Sequence, residues 1–374
     1  MTEARDIAGF TLPYAVGILL TVYSGALFCK NNILPQTLVL SGLILILSLL
    51  LSRGLWSLNC PAIRFLILLA AFLCGSLSGL TGLSLELEFP ASPIECYAIR
   101  LGEKMQNAID AIPFRSTDTG ALIKALLTGE RSSLPKELTE AFRDSGASHI
   151  LALSGLHLGI IYGILSKIMS IAGNSKSFRK VRSVTIIVIC GTYSMATGAG
   201  PSIIRAFIFI LLGETARLTG RHNQLSHTLM ASLLIQLTLS PLSARNVGFQ
   251  LSYAAMAGIA FIYPWLKGLW PKDDTRTSTG AALEKGTRWI WDSMALSISC
   301  QITTGPLAYL YFETFPRYFL LTNLLSLPLT GILIPSALLT LILSVLGHCP
   351  QMVINLTEIL AQALTWSLKV IASM

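Results

Sequence analysis

ERSSLPKELTEAFRDSGASHILALSGLHLGIIYG, residues Glu130–Gly163, changes character halfway along its length. Its first half is rich in charged residues, as in segments that face water. From Ala147 to Ser166 there is no Asp, Glu, Lys or Arg, and about 20 apolar residues are what a helix needs to cross a membrane. We therefore predict that the chain enters the membrane here, in a span that begins at Ala147.

The rest of the chain has the composition of a membrane protein. Of its 374 residues, 53% are hydrophobic and 12% are charged, with a mean hydropathy of +0.66, whereas a soluble domain carries about 25% charged residues. Charge-free runs of span length are Ile7–Cys29, Asn31–Ser52, Phe65–Leu85, Ser183–Ile204, Asn223–Ala244, Asn246–Leu266, Ser293–Phe312 and Tyr318–Thr357. We predict an all-α fold: a polytopic helical membrane protein with about 10–11 hydrophobic segments and a small external helical segment.

The charge pattern divides the chain into three regions. Residues 1–83 form an N-terminal region with three spans, residues 84–146 form the external segment, and residues 147–374 form a membrane core. Within the external segment, apolar residues recur at helical spacing. Its helices are expected near 94–112, 118–128 and 134–145.

The distribution of Lys and Arg indicates the topology. With the N-terminus in the cytoplasm, the inside loops hold 15 of these residues and the short outside loops hold 3. Such an excess identifies the cytoplasmic face, so we predict a cytoplasmic N-terminus. Two features are left open. One is whether 318–346, which contains Pro328 and Pro335, is one helix or a broken one, and the other is whether 350–372 spans the membrane.

Polar residues in or near the predicted spans are candidates for a hydrated path. They are His149, Ser154, His157, Arg205, Gln250 and Asn323. Polar side chains in a membrane are costly and usually face a bundle interior or water. The alternative is hydrogen bonding between helices, worth under about 1 kcal/mol for each bond. For Arg205 we favour a functional role, because a guanidinium in a span needs a strong reason.

Glycines recur every four residues in the same stretch, at Gly155, Gly159 and Gly163. Residues at this spacing share one helix face. Since glycine lets two backbones approach closely, this face is predicted to pack against another helix.

The motif Ser154-Gly-Leu-His157 also suggests a serine nucleophile with a histidine base. However, no GxSxG surrounds Ser154, and a Ser and a His three apart on one helix rarely have the geometry required. An intramembrane hydrolase is therefore the less favoured alternative. The sequence holds no metal-ligand cluster, P-loop or GxGxxG, and its seven Cys form no CxxC pair. We predict no enzymatic activity, no catalytic residue, no metal and no cofactor.

Five blocks of sequence, in order, carry a resemblance to a known family. They are ALLTGERSSLP (125–135), FRDSGASHILALSGLHLG (142–159), GPSIIRA (200–206), NVGFQLSY (246–253) and NLLSLPL (323–329). They resemble the competence-protein ComEC family over about residues 120–335. The resemblance implies a channel in the bacterial inner (cytoplasmic) membrane, crossing it several times, that passes single-stranded DNA inward during natural transformation. The candidate path residues all lie within these blocks.

The resemblance covers only the membrane core of the family. Longer members resemble three parts and include an external OB-fold domain and a C-terminal metallo-β-lactamase-like domain, neither of which we expect in this chain. The implied partners are single-stranded DNA, the lipid bilayer, a separate nuclease and other DNA-uptake proteins. The alternative is a ComEC-like protein that transports another solute or scaffolds partners without handling DNA. The 10 acidic against 7 basic residues of 84–146 favour that alternative, because they attract DNA poorly. Oligomeric state is left open.

Overall fold

The computed structural model describes residues 2–29, 61–84, 93–171, 176–220, 224–270, 278–313 and 317–374. All regular structure in these ranges is helical, as predicted. The helices are α1 (Thr2–Cys29), α2 (Pro61–Ser84), α3 (Pro93–Asp110), α4 (Thr117–Thr128), α5 (Lys136–Asp144), α6 (Ser148–Leu151), α7 (Gly155–Ile171), α8 (Lys176–Ala196), α9 (Pro201–Thr219), α10 (Leu225–Leu239), α11 (Val247–Lys267), α12 (Ser278–Phe312), α13 (Phe319–Val345) and α14 (Gln351–Ala372). The second charge-free run, Asn31–Ser52, lies outside the described residues.

The chain divides into two compact units. One comprises Met1–Pro90 and Gly220–Tyr253, and the other comprises Ala91–Thr219 and Ala254–Met374. The division expected from the sequence, into 1–83, 84–146 and 147–374, stays a prediction. In the structure the segment before α3 and the segment around α10 belong to one unit.

In the first unit, α1 and α2 pack at very short range. A Cβ added at Gly17 would collide with the carbonyl of Phe72, and one added at Gly75 would collide with the carbonyl of Tyr14. Only glycine permits two helix backbones to approach this closely. Helix α1 also contacts α10, where the Tyr14 hydroxyl lies 3.0 Å from Thr238 Oγ1.

In the second unit, the predicted external segment shares a hydrophobic core with the C-terminal helices. Leu122 and Leu126 of α4 and Phe142 of α5 are buried in one cluster with Leu333 of α13 and Leu364 of α14. Burying a side chain of this kind contributes about 1.5–3 kcal/mol. The three helices α3, α4 and α5, which the spacing of apolar residues predicts within a few residues of their ends, therefore fold with the C-terminal helices.

Polar residues recur every three or four positions along α14, and the structure buries only part of this stripe. The stripe consists of Gln351, Asn355, Glu358, Gln362, Thr365 and Lys369. Glu358 is 4% exposed, and its Oε1 accepts a hydrogen bond from the main-chain N–H of Ser116 at 2.9 Å, just before α4. Gln362 and Lys369 remain exposed. The buried part of the stripe therefore positions α4, and α14 packs along α13 and against α4 and α5.

The long apolar run near the C-terminus forms one helix. α13 continues through both Pro328 and Pro335, and at 1.5 Å per residue its 27 residues extend about 40 Å. A proline inside a helix removes one N–H donor and commonly kinks the helix. The alternative of a helix broken between 318 and 346 is thus not what the structure shows.

Among the described helices, α11 and α13 are long and apolar enough to cross a membrane. The shorter apolar helices are Gly9–Tyr23, Ile67–Gly82, Gly155–Ile171 and Leu225–Leu239. A helix of 17 residues, such as α7, extends about 26 Å, slightly less than the roughly 30 Å of a bilayer core. The prediction of about 10–11 hydrophobic segments is therefore supported only in part, and the polytopic arrangement stays a prediction.

Candidate functional site

The span predicted to begin at Ala147 is not one continuous helix. α6 ends at Leu151, residues 152–154 are not helical, and α7 begins at Gly155. The prediction of a single helix is wrong here, because a new helix start lies inside the apolar run. His157, expected about ten residues into the span, is the third residue of α7.

Ser154 and His157 together cap the new helix. The main-chain N–H of Ser154 donates to His157 Nδ1 at 3.3 Å, and the N–H of Leu156 donates to Ser154 Oγ at 3.3 Å. In a capping box, the residue before a helix and the side chain three positions later satisfy each other's free N–H groups. The Ser-x-x-His motif plays this part here, with an imidazole nitrogen in place of the usual carboxylate.

The same geometry bears on the hydrolase alternative. Ser154 Oγ lies 3.2 Å from His157 Nδ1, close enough for a hydrogen bond. In a catalytic pair, a third group orients the base. The other ring nitrogen of His157, Nε2, has no protein hydrogen-bond partner in the described part of the chain. The geometry therefore favours the capping role.

The capping bond also assigns the tautomer of His157. Because Nδ1 accepts a hydrogen from the backbone, the proton of the neutral ring belongs on Nε2. The side chain is 0% exposed, so α7 begins with a buried N–H donor that the described protein groups leave unsatisfied.

Arg205 lies against the start of α7. It is in the first turns of α9 and is 7% exposed. A Cβ added at Gly155 would be 3.1 Å from Arg205 Nη2 and 3.3 Å from Ala206 Cβ, so glycine is what leaves room for the guanidinium. Since the N-terminal end of a helix carries partial positive charge, the guanidinium and the helix start place positive charge together within a mainly apolar region.

Asn323 lies on α13, and the structure adds two neighbours that sequence reasoning missed. Ser326 and Thr330 follow it on the same helix face and are 0% exposed. Asn323 Oδ1, Ser326 Oγ and Thr330 Oγ1 are buried without a protein hydrogen-bond partner among the described residues. The spacing Asn-x-x-Ser-x-x-x-Thr around Pro328 is the signal that marks them.

The other predicted path residues lie apart from this group. His149 is exposed on α6, where its Nδ1 lies 3.2 Å from the Gly146 carbonyl oxygen. Gln250 belongs to the first unit, and its Nε2 donates to Tyr23 Oη at 2.7 Å and to the Ala244 carbonyl at 2.8 Å. The structure thus brings together Arg205 and the start of α7. The hydrogen-bond partners of Gln250 that are named above both lie in the first unit.

The glycine face of α7 is packed at one end only. Gly155 contacts α9 as described, whereas Gly159 and Gly163 are exposed, with no atom of the described chain within 4 Å of an added Cβ. The predicted packing role for Gly159 and Gly163 therefore has no partner helix in the part of the chain that the structure describes.

A buried carboxylate lies towards the other end of α9. Glu214 is 0% exposed and forms an ion pair with Arg217, with Oε1 and Nη1 3.0 Å apart. Tyr162 Oη donates to Oε1 at 2.8 Å and Ser183 Oγ donates to Oε2 at 2.6 Å. These hydroxyls come from α7 and α8, so the carboxylate joins three helices. Sequence reasoning missed both donors, which are 52 and 31 residues away along the chain.

In the described ranges, no group of three or more His, Cys, Asp or Glu side chains is placed to hold a metal ion. The arrangement at α7 and α9 is instead suited to binding anions or polar solutes, since it offers positive charge and neutral hydrogen-bond donors.

Comparison with known proteins shows the family to which this chain belongs. The family model described as Competence protein matches residues 126–374. ComE operon protein 3 from Bacillus subtilis (strain 168) is 31% identical over 137 residues, which are 37% of this chain and 17% of that relative. The uncharacterized protein YcaI from Escherichia coli (strain K12) is 24% identical over 232 residues, which are 61% of this chain and 29% of that relative. The chain thus spans less than a third of the length of these curated relatives, and no solved structure matches it.

The matched range includes the helix start at Ser154, the buried Arg205 and the polar face of α13, and it covers more than half of the sequence. The resemblance seen in the five sequence blocks is therefore confirmed, and the chain belongs to the Competence protein family.

Proposed function

We propose that this chain is the core of an inner-membrane channel that imports single-stranded DNA during natural transformation. The observation that carries the proposal is the buried Arg205 guanidinium against Gly155 at the start of α7. Family membership supports a role in competence DNA uptake. The chain, rather than a cofactor, supplies the positive charge that a polyanion requires.

The positive charge at the start of α7 is the feature that would attract the phosphates of DNA. A guanidinium inside a membrane protein is expensive and marks a pathway or a ligand site. Helix N-termini bind phosphate because their N–H groups and the helix dipole point at the anion, and arginine forms strong charge-assisted hydrogen bonds with phosphate oxygens. Two of the first N–H groups of α7 are already capped by Ser154. Arg205 would therefore provide most of the attraction.

A second function is favoured by a different observation. The described helices of 84–146 carry exposed acidic side chains such as Glu137 and Glu140, and 84–146 has more acidic than basic residues. Such a surface repels DNA, so the alternative is a family member that transports another solute or scaffolds partners. Uptake of labelled DNA decides between the two functions.

The test substitutes Arg205 in the host and measures uptake of labelled linear DNA, normalised to the amount of protein in the membrane. Arg205→Ala should abolish uptake without loss of protein, and Arg205→Lys should retain part of it, because charge matters more than bidentate geometry. Arg143→Ala is the matched control, since its side chain is 69% exposed on α5, and it should leave uptake unchanged. Normal uptake per molecule in Arg205→Ala would refute the proposed path.

We further propose that the chain is not a nuclease and that a separate nuclease and other uptake proteins act beside it. The purified chain should leave single-stranded and double-stranded DNA intact in the presence of Mg²⁺, Mn²⁺ or Zn²⁺. Metal-dependent cleavage that follows this polypeptide through purification would refute this proposal.

A further inference from the structure

Three polar side chains on one face of α13 have no protein hydrogen-bond partner in the described part of the chain. Asn323, Ser326 and Thr330 are three and four residues apart, a spacing that puts them on the same side of a helix. They account for three of the seven buried side-chain polar atoms that lack a partner among the described residues. Buried polar atoms that lack a hydrogen-bond partner are therefore concentrated on this face of α13.

Further along α13, a buried hydroxyl group does have hydrogen-bond partners. Thr340 Oγ1 donates to the Ser336 carbonyl at 2.8 Å and lies 2.8 Å from Thr357 Oγ1 on α14. Serine and threonine in helices commonly bond to the carbonyl four residues back. Ser326 and Thr330 do not use that option, although buried polar groups are nearly always paired with protein or with ordered water.

The backbone around these side chains also has unsatisfied groups. Pro328 has no N–H, so the Leu324 carbonyl loses its usual helix donor. Opposite this part of α13 is the segment 145–154, because Thr322 Oγ1 donates to the Ser145 carbonyl at 2.7 Å and Leu151 shares a hydrophobic cluster with Leu333. This segment ends in the non-helical residues 152–154. At membrane depth, irregular backbone is tolerated only where protein or water covers it.

We propose that α13 and the segment 145–154 separate to admit water along Asn323, Ser326 and Thr330, which then line a polar seam. It forms part of the route of a hydrophilic solute, and to that extent the inference rests on the proposed transport function. Hydroxyl and amide groups suit this task, since they bind water and phosphate without holding a polyanion as tightly as a charge would. The buried Nε2–H of His157 lies on α7, which also packs on α13.

The test measures water access at single cysteines introduced into a chain whose native cysteines have been replaced. Ser326→Cys and Thr330→Cys probe the seam, with Ile334→Cys (1% exposed, in a cluster that contains no residue of 145–154) and Ile332→Cys (57% exposed) as controls on the same helix. The probe is a small, positively charged methanethiosulfonate applied to membrane vesicles. Because only the thiolate reacts and it forms in contact with water, the two seam thiols should react at least about tenfold faster than both controls.

Equal rates at the seam and at Ile334→Cys would overturn the proposal. Ser326→Cys is nearly isosteric and should accumulate normally; if Thr330→Cys does not, Asn323→Cys replaces it as the second probe. The test distinguishes a wrong seam assignment from a wrong DNA-import function. Fast labelling in a protein that takes up no DNA keeps the seam and refutes DNA import, whereas slow labelling in a protein with normal uptake refutes the seam alone.

Discussion

The ion pair between Glu214 and Arg217 is asymmetric, and this asymmetry gives a quantitative prediction. The Glu214 side chain is 0% exposed, whereas the Arg217 side chain is 42% exposed. The carboxylate also accepts hydrogen bonds from Tyr162 at 2.8 Å and Ser183 at 2.6 Å. Because only Arg217 can reach water when its partner is removed, the two substitutions should have unequal effects on the free energy of unfolding.

Arg217→Met preserves side-chain length but leaves a buried carboxylate without its cation. Removing one partner of a buried pair costs about 3–5 kcal/mol, and we expect the lower end, about 3 kcal/mol, because two hydroxyl donors remain. Glu214→Gln keeps an acceptor oxygen for Tyr162 and releases a guanidinium that becomes hydrated. Pairs with an exposed partner contribute up to about 1 kcal/mol, so this change should cost about 1 kcal/mol.

The assay is unfolding of the purified protein in mixed micelles by titration with sodium dodecyl sulfate, followed by the helical circular dichroism signal. Arg143→Met is the matched control, since Arg143 is 69% exposed and pairs with its neighbour Asp144; it should change the free energy of unfolding by less than about 0.5 kcal/mol. Equal losses for Arg217→Met and Glu214→Gln, or a larger loss for Glu214→Gln, would show that the burial argument is wrong.

Two further predictions concern the segment 84–146, which is predicted to lie outside the membrane. Hydrogen bonds from the side chain and the main chain of Ser132 lower the pKa of Glu130 below its ordinary 4.5; their small stabilising contribution is complete above pH 4.5 and is lost as pH falls through the lowered pKa. Acid titration of the free energy of unfolding should therefore show this loss in the parent protein and not in Glu130→Gln, and identical profiles would contradict it. For topology, the distribution of Lys and Arg predicts that 84–146 lies outside and the loop 267–288 inside. Ser116→Cys and Ser278→Cys in a chain without native cysteines should therefore react with an impermeant maleimide from opposite sides of the membrane, and reaction of both from one side would refute the assignment.

The periodic parts of the chain are those that sequence reasoning predicts best. The apolar spacing in 94–112 corresponds to Pro93–Asp110, and the two short helices that follow are found at Thr117–Thr128 and Lys136–Asp144. Each has a charged face and an apolar face, so its pattern is readable without knowing its neighbours. In the uniformly apolar runs there is no such contrast, and there the helix boundaries, including the start at Gly155 and the continuity of α13, were not predictable.

The candidate site could likewise be predicted only in part from the sequence. Composition and motif order are enough to indicate a helical protein of the Competence family and to single out Arg205 as an unusual charge, because both depend on residue types along one chain. They do not reveal that His157 caps a helix or that Glu214 binds Ser183 from 31 residues away. Nor do they reveal that Thr330 is buried without a partner among the described residues, while Thr340 is paired. Those facts depend on which helices lie side by side. A hydrogen bond is formed or lost over a few tenths of an ångström, and only the packing of distant segments sets distances that finely.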